Sequence, residues 1–258
     1  MLPLVDKPSI DFIIEEFLKS GIEEILMVTS RRKKVLEDYL DREIELEYNF
    51  RLKGDNGKLD KIQTPEARIF FVRQMEMLGT GHALLLTRPF VGEEPFIVAY
   101  PDDIHLGEVP LAKQLIEMHE KTGACVLATV CDPPELQRYA TLAIADDGLH
   151  VADIVEKAPP GQEPSREASI GRYLYTPEIF PLLEEGWARH SSGEYYHIEA
   201  LRALARQNRV VFRRIEGERL DTGEPEGFFR SLLTYAQTVP SLREVFERFV
   251  GERSPQGR

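Results

Sequence analysis

Cysteine, positive charge and long apolar runs are all scarce in these 258 residues. The two cysteines, Cys125 and Cys131, share one strand-like run, ACVLATVC. At about 3.3 Å per residue they stand too far apart for a disulfide within it, so both are expected to be buried thiols of a reducing compartment. Acidic residues outnumber basic ones, 44 to 32, and the net charge of −12 argues against nucleic-acid polymers and anionic membranes as partners. No apolar stretch approaches the roughly eighteen residues of a membrane span, and the acidic N-terminal helix lacks a signal-peptide pattern, so a cytoplasmic location is expected. The six histidines form no HExxH spacing, and no serine or cysteine nucleophile stands in a recognisable elbow. Metallohydrolase and acyl-transfer chemistry therefore have no support. The opening segment, MLPLVDKPSIDFIIEEFLKSGIEEILMVTS, reads as a loop, helix and strand with no strand and no glycine-rich phosphate loop ahead of them. Parallel α/β nucleotide-binding folds carry such a loop just after their first strand.

What is present is an alternation of helical and strand-like patterns. Ile10, Ile13, Ile14, Phe17 and Leu18 fall on one helical face, Gly21 ends that helix, and a strand is expected at Ile25–Val28. Further short apolar runs at Ile69–Val72, Phe96–Tyr100 and Ala124–Val130 suit strands covered on both faces, with a helix over Leu111–Lys121. Residues 43–65, with the GDNG turn, read as a surface excursion. Beyond Asp132 the pattern predicts strands at 140–145, 150–155, 170–175 and 210–215, and helices at 177–183, 194–207, 225–238 and 242–250, followed by the polar tail SPQGR. The fold expected is α/β and Rossmann-like: a mixed, mostly parallel sheet with helices on both faces.

Four segments have residue types that suit phosphate and sugar chemistry, and each has a plainer reading beside it. In RQMEMLGTGHALL, Gln74 precedes Gly79 and Gly81, which let backbone approach a flat ligand or make an ordinary turn before a helix. In FIVAYPDDIHLGE, Asp102 and Asp103 sit where a buried strand ends, the edge at which open sheets bind ligands, or in a proline-aspartate turn. Glu156 and Lys157 in IVEKAPPGQEP stand at another strand end, where a solvated charge pair is the alternative. Gly171 in IGRYLYTPEIFPLL marks a close backbone approach or a tight packing contact.

Together these segments, with ERLDTGEPEGFF around Asp221, resemble the bacterial UTP-glucose-1-phosphate uridylyltransferases from Met1 to about Ala236. The match includes RQGLAKGLGHA against Arg73 to Ala83, VEKP against Val155 to Ala158 and VGRYVL against Ile170 to Tyr175. The ELEYNF insert at Glu45 to Phe50 sets the chain apart from shorter thymidylyl relatives. Several positions depart: Met75 and Leu78 replace glycine and lysine, Ala158 replaces proline, Tyr139–Ala140 replaces YG, and SGEYYHIEAL replaces GDEIQLTDAI while keeping Glu194.

The resemblance implies a nucleotidyltransferase domain over 1–239, with a C-terminal helix and polar tail over 240–258. It implies Mg2+ on Asp102 and Asp221, with Asp102, Lys157 and Asp221 catalytic. Gln74 and Gly79 would read the uracil edge, Glu156 and Gly171 would meet the sugar, and Asp103, also among the substrate-binding residues, would stand beside Asp102 as a turn or supporting residue. The implied substrates are UTP and glucose 1-phosphate, or UDP-glucose, and a homo-oligomer is possible. The implied reaction forms UDP-glucose and pyrophosphate by phosphate-oxygen attack on the α-phosphorus, chemistry that rests on positioning and charge neutralisation.

The family's GxGTR and PKE segment has no counterpart here, which implies a chain truncated at its N-terminus and, alone, negligible transfer. The family's first strand lies inside the sheet, so its absence leaves two facing edges whose buried unpaired groups cost about 1 to 3 kcal/mol each. Three accounts follow, in this order: the true chain starts upstream; a partner donates a strand; or the sheet has repacked in a noncatalytic sugar-nucleotide-binding pseudoenzyme or assembly partner of a catalytic homologue.

Overall fold

Apolar residues recurring every three to four positions make the helices here, and β-branched and aromatic runs make the strands. The computed structural model describes residues 3–62 and 65–253; Met1 and the expected tail at 254–258 lie outside them. A two-residue hairpin, β1 (Pro3–Leu4) and β2 (Lys7–Pro8), leads into α1 (Ser9–Lys19) and β3 (Glu24–Thr29). Next come α2 (Lys34–Leu40), α3 (Ile44–Lys53), α4 (Asn56–Leu59), β4 (Arg68–Arg73), α5 (Thr80–Leu85) and α6 (Arg88–Val91). The middle of the chain forms β5 (Phe96–Ala99), β6 (Asp103–Leu106), α7 (Leu111–Thr122), β7 (Cys125–Cys131), β8 (Ala140–Ile144), β9 (Val151–Glu156) and β10 (Glu167–Tyr175). The last part forms α8 (Ile179–Arg189), α9 (Ile198–Ala205), β11 (Val210–Arg214), β12 (Glu218–Asp221), α10 (Pro225–Thr238) and α11 (Pro240–Arg253).

The main sheet has the order β11-β7-β10-β8-β9, with β5 on the upper part of β10. It is mixed: β11 pairs with β7 in parallel, whereas β10 runs against β5, β7 and β8. Thus β5, β7 and β11 share one direction, and β10 between them is the reversal that the alternating pattern does not reveal. Side chains of β7 go to opposite faces in turn, as a pleated strand requires. Cys125 and Leu127 pack with α8 and α9, while Val126 and Ala128 pack with α7, so helices cover both faces. A third cluster sets Ile13, Ile14 and Phe17 of α1 against Ile25 and Met27 of β3, with Ile97 and Ala99 of β5 at its margin. Antiparallel β6 and β12 form a separate ribbon beneath α10.

The expected strands and helices are found with shifted ends, and several expectations are corrected. Only β7 and β10 are largely buried on both faces; β4 exposes Phe70 and Phe71, and β5 is half-buried throughout. Cys125 is buried, but Cys131, the last residue of β7, is exposed, and neither is in a disulfide. The helix expected from residue 194 begins at Ile198, because Tyr195 is drawn into pairing with a distant loop. Residues 43–62 are a helical surface excursion, in which Gly54 closes α3 at φ +66° and the Asp55 carboxylate caps α4. Among the described residues, no helix is long and apolar enough to cross a membrane.

Candidate active site

The backbone first joins Asp102 to Asp221, 119 positions apart in sequence. Pairing of β6 with β12 places Asp103 opposite Asp221, and Thr222 then donates both its amide (2.8 Å) and its hydroxyl (3.0 Å) to the Asp102 carbonyl. The two carboxylates converge beside Gly223: a Cβ on that glycine would lie 3.1 Å from Asp102 Oδ2 and 3.4 Å from Asp221 Oδ1. Asp221 Oδ1 accepts the Gly223 amide (3.1 Å), and Oδ2 accepts the Tyr139 hydroxyl (3.2 Å) with Arg219 Nη2 at 3.3 Å. Asp102 receives no hydrogen bond or ion pair from another side chain among the described residues. Its carboxyl is held above the ordinary range, first by desolvation from the cleft walls and then by the charges of Asp103 and Asp221.

Asp103 is turned inward beside Asp102. Its side chain is buried and takes a bidentate pair from Arg219, at 2.6 Å from Nε and 3.0 Å from Nη2, while Oδ2 also accepts the Gly171 amide at 2.7 Å. Both oxygens are engaged by protein groups, so Asp103 braces β6, β10 and β12. Gly171 is packed against the same carboxylate. A Cβ there would press on Tyr100 (3.0 Å) and Asp103 Oδ2 (3.1 Å), and its carbonyl accepts the Tyr100 amide (2.9 Å). The Cβ side of this glycine is therefore closely packed.

Arg219 was missed by the sequence reading. Burial works against its charge, yet Asp103, Tyr139 and Asp221 more than offset this and leave its pKa raised. It also donates to the Tyr139 hydroxyl (2.9 Å) and lies over that ring, 5.1 Å from the centroid. A signal was available: Arg219 is two residues before Asp221 on one strand and so faces the same way.

Tyr139 carries the brace onward to Glu156 and Lys157. Its carbonyl accepts the Lys157 amide (3.1 Å) where β9 ends, and Lys157 is held at φ +46°, an uncommon conformation for a residue with a side chain. Both residues are exposed. Desolvation raises the Glu156 pKa against the opposing charge of Lys157, and the Glu156 charge in turn acts on Tyr100, Tyr173 and Tyr196.

Gln74 and Gly79 lie at the other wall. Gln74 Nε2 donates to the Gly79 carbonyl (3.0 Å) and lies 3.1 Å from His82 Nδ1. Gly79 has φ +90°, and a Cβ on it would strike the Tyr195 backbone, so only glycine fits. The loop is tied to residues 195–197 by Tyr195 N to Leu78 O (2.8 Å), Gly81 N to Tyr195 O (2.8 Å) and Thr80 Oγ1 with His197 Nδ1 (2.9 Å). His197 is buried against Tyr173 and Tyr175, and desolvation pulls its pKa down to about 4, so it is neutral near pH 7. Between Gln74 and Gly79 the loop exposes Met75 and Met77 almost fully.

The site can therefore present two converging carboxylates, a lysine and glutamate at a strand end, and a glycine loop with a fixed amide side chain. Among the described residues no group of three or more His, Cys, Asp or Glu side chains could hold a metal ion. A pair of carboxylates nonetheless fits Mg2+, which takes one or two of them and fills its remaining positions with water and phosphate oxygens.

The nucleotidyl transferase family model matches residues 1–238. A UTP-glucose-1-phosphate uridylyltransferase of Streptococcus pyogenes is 41% identical over 260 residues, which span 97% of this chain and 85% of that relative. A UTP-bound UDP-glucose pyrophosphorylase of Acinetobacter baumannii superposes with a TM-score of 0.86 at 28% identity, covering 98% of this chain and 91% of its own. A UDP-glucose pyrophosphorylase complexed with UDP-glucose gives a TM-score of 0.77 at 31% identity, with 93% and 90% covered.

Proposed function

This chain belongs to the nucleotidyl transferase family, among the UTP-glucose-1-phosphate uridylyltransferases, and we propose that its substrates are UTP and glucose 1-phosphate, joined as UDP-glucose with release of pyrophosphate. The observation that carries the reading is the convergence of Asp102 and Asp221 beside Gly223, where a side chain would intrude on both oxygens. Asp102 and Asp221 would hold Mg2+, which supplies neutralisation of the phosphate charge when bound. Lys157 meets the phosphate of glucose 1-phosphate from the strand end that Tyr139 ties to Asp221, and Glu156 accepts from sugar hydroxyls. Gln74 uses its remaining amide valences on the base edge, against the backbone that Gly79 leaves open. No proton needs to move far in this reaction, so the residues serve to align one phosphate oxygen with the α-phosphorus and to hold charge.

The test is calorimetric titration of the 258-residue chain with UDP-glucose, with and without Mg2+, alongside turnover with UTP and glucose 1-phosphate. Binding is expected to depend on the metal, to lose that dependence in Asp102→Asn and Asp221→Asn, and to weaken about 10-fold or more in Lys157→Ala, the loss of one charge-assisted contact. Equal affinity for glucose alone, or unchanged metal dependence in both aspartate variants, would overturn the proposal.

A further inference from the structure

Among the polar groups of the cleft, the Gln74 amide is held at two points. Gln74 follows β4, and its backbone N–H donates to Thr29 O (2.9 Å) at the end of β3. Its side chain then turns along the loop, with Nε2 at 3.0 Å from the Gly79 carbonyl and 3.1 Å from His82 Nδ1. A side-chain amide carries two N–H donors on nitrogen and two lone pairs on oxygen. Which end meets which partner therefore decides what is left over for a ligand.

The Gly79 carbonyl fixes the orientation. It can only accept, and it already takes the Ala83 N–H (3.1 Å) that starts α5, so an oxygen of Gln74 in that place would set lone pair against lone pair. The end nearest it is the nitrogen. One amide hydrogen goes to Gly79 and the other to His82, whose Nδ1 must then be bare and accept, with the ring proton on Nε2. Both donors of Gln74 are used inside the protein, and Oε1 alone remains for a ligand.

His82 is itself held in place. It is the third residue of α5, and its ring packs 5.0 Å from that of Trp187 on α8, inclined by 54°. Trp187 is stacked on His190 (5.6 Å, 20°) and lies 5.6 Å from Tyr195, whose backbone grips the Gly79 loop through Leu78 and Gly81. The carbonyl that takes the first amide hydrogen and the ring that takes the second are thus anchored through the same two residues, Trp187 and Tyr195.

We propose that His82 is a positioning residue for base selection: it accepts the second N–H of the Gln74 amide and so holds Oε1 outward, which favours a base with an N–H between two carbonyls, uracil or thymine, and rejects cytosine. This rests on the reading above that Gln74 meets the base edge. Uracil and thymine donate that N–H to Oε1. Cytosine has a lone pair at the same ring position and meets Oε1 with no hydrogen between them. With no acceptor at position 82, the amide is freer to turn and offer Nε2 to cytosine, so discrimination weakens.

The experiment measures calorimetric affinities of the 258-residue chain for UDP-glucose, dTDP-glucose and CDP-glucose in the presence of Mg2+. The unaltered chain is expected to favour UDP-glucose over CDP-glucose by about 10-fold or more. His82→Phe keeps a ring against Trp187 but has no acceptor, and should shrink that ratio about 3-fold or more. His82→Asn puts an acceptor near the place of Nδ1 and should restore it. The ratio of UDP-glucose to dTDP-glucose should be the same in all three proteins, because the two bases share this edge. Nitrogen NMR of the ligand-free chain at about pH 8 should find the His82 proton on Nε2.

A proton on Nδ1 would overturn the proposal, as would an unchanged uracil-to-cytosine ratio in His82→Phe. Gln74→Ala tells the two levels apart. Discrimination that survives it means that Gln74 does not meet the base, and the underlying reading falls. Discrimination lost in Gln74→Ala but kept in His82→Phe leaves that reading standing and removes His82 from it. Failure of all three sugar nucleotides to bind would overturn both.

Discussion

The two walls of the site are built differently. Around Asp103, Arg219 and Asp221, buried charge is matched by partners, and β10 joins β5, β7 and β8 into one hydrogen-bonded body. Around β3 and β4, two strands pair only with each other, and an apolar cavity separates them from β5. The wall carrying Asp103, Arg219 and Asp221 therefore keeps its geometry through local bonding. The wall carrying Gln74 owes its position to α1 below and to the Tyr195–His197 segment, which grips the Gly79 loop. The paired carboxylates and the Gln74–Gly79 loop thus occupy separate parts of one cleft.

The largest effect should come from breaking the braced wall. Asp103→Ala leaves Arg219 buried without its bidentate partner and is expected to cost about 3 to 5 kcal/mol in urea unfolding. A loss under about 1 kcal/mol would show that this wall is no firmer than the other.

Next is the grip on the loop. His197, with a pKa pulled down to about 4 by burial against an ordinary 6.5, binds fewer protons folded than unfolded between those values. Stability is therefore complete above pH 6.5 and falls as the pH drops toward 4, by on the order of 3 kcal/mol. His197→Gln should flatten that slope, and an unchanged pH profile of unfolding would remove His197 as its cause.

A pair of truncations compares the walls directly. Leu127→Ala, in the fully buried β7, should cost about 2 to 5 kcal/mol, whereas Leu26→Ala, which borders existing empty space, should cost about 1 kcal/mol or less. Equal losses would mean that the gap beside β3 closes in solution.

The smallest effect has the opposite sign. Because the Asp102 pKa is raised, the folded state holds its proton more tightly, and stability contributed at low pH is lost as pH rises past 3.8 through the folded value. Asp102→Asn should accordingly raise Tm slightly at pH 7 while removing metal-dependent ligand binding. A fall in Tm would show that the carboxylate is needed for folding.

Much of the molecule was legible in the chain. Helix α1 announced itself through Ile10, Ile13, Ile14 and Phe17, and β7 through its unbroken apolar run, because these periodicities are local. The Gln74 to Gly79 relation was also readable, since the two residues lie in one short loop and bond directly. Asp103 and Gly171 were harder. The sequence left a turn or packing role open for both, and only the Arg219 fork and the packed Tyr100 ring reveal how each is engaged. Nor could a half-covered β5 be told from a buried one, because its apolar residues are the same in either case.

By itself the sequence determined the kinds of elements, their order and the residue types brought to the strand ends, since backbone propensity and side-chain period act over a few positions. Tertiary structure alone decided which strands are neighbours. It joined Asp102 to Asp221, reversed β10 within the sheet, and paired β3 with β4. Strand pairing is a contact between segments far apart in sequence: a period of two records which way each side chain points and carries no record of the strand alongside.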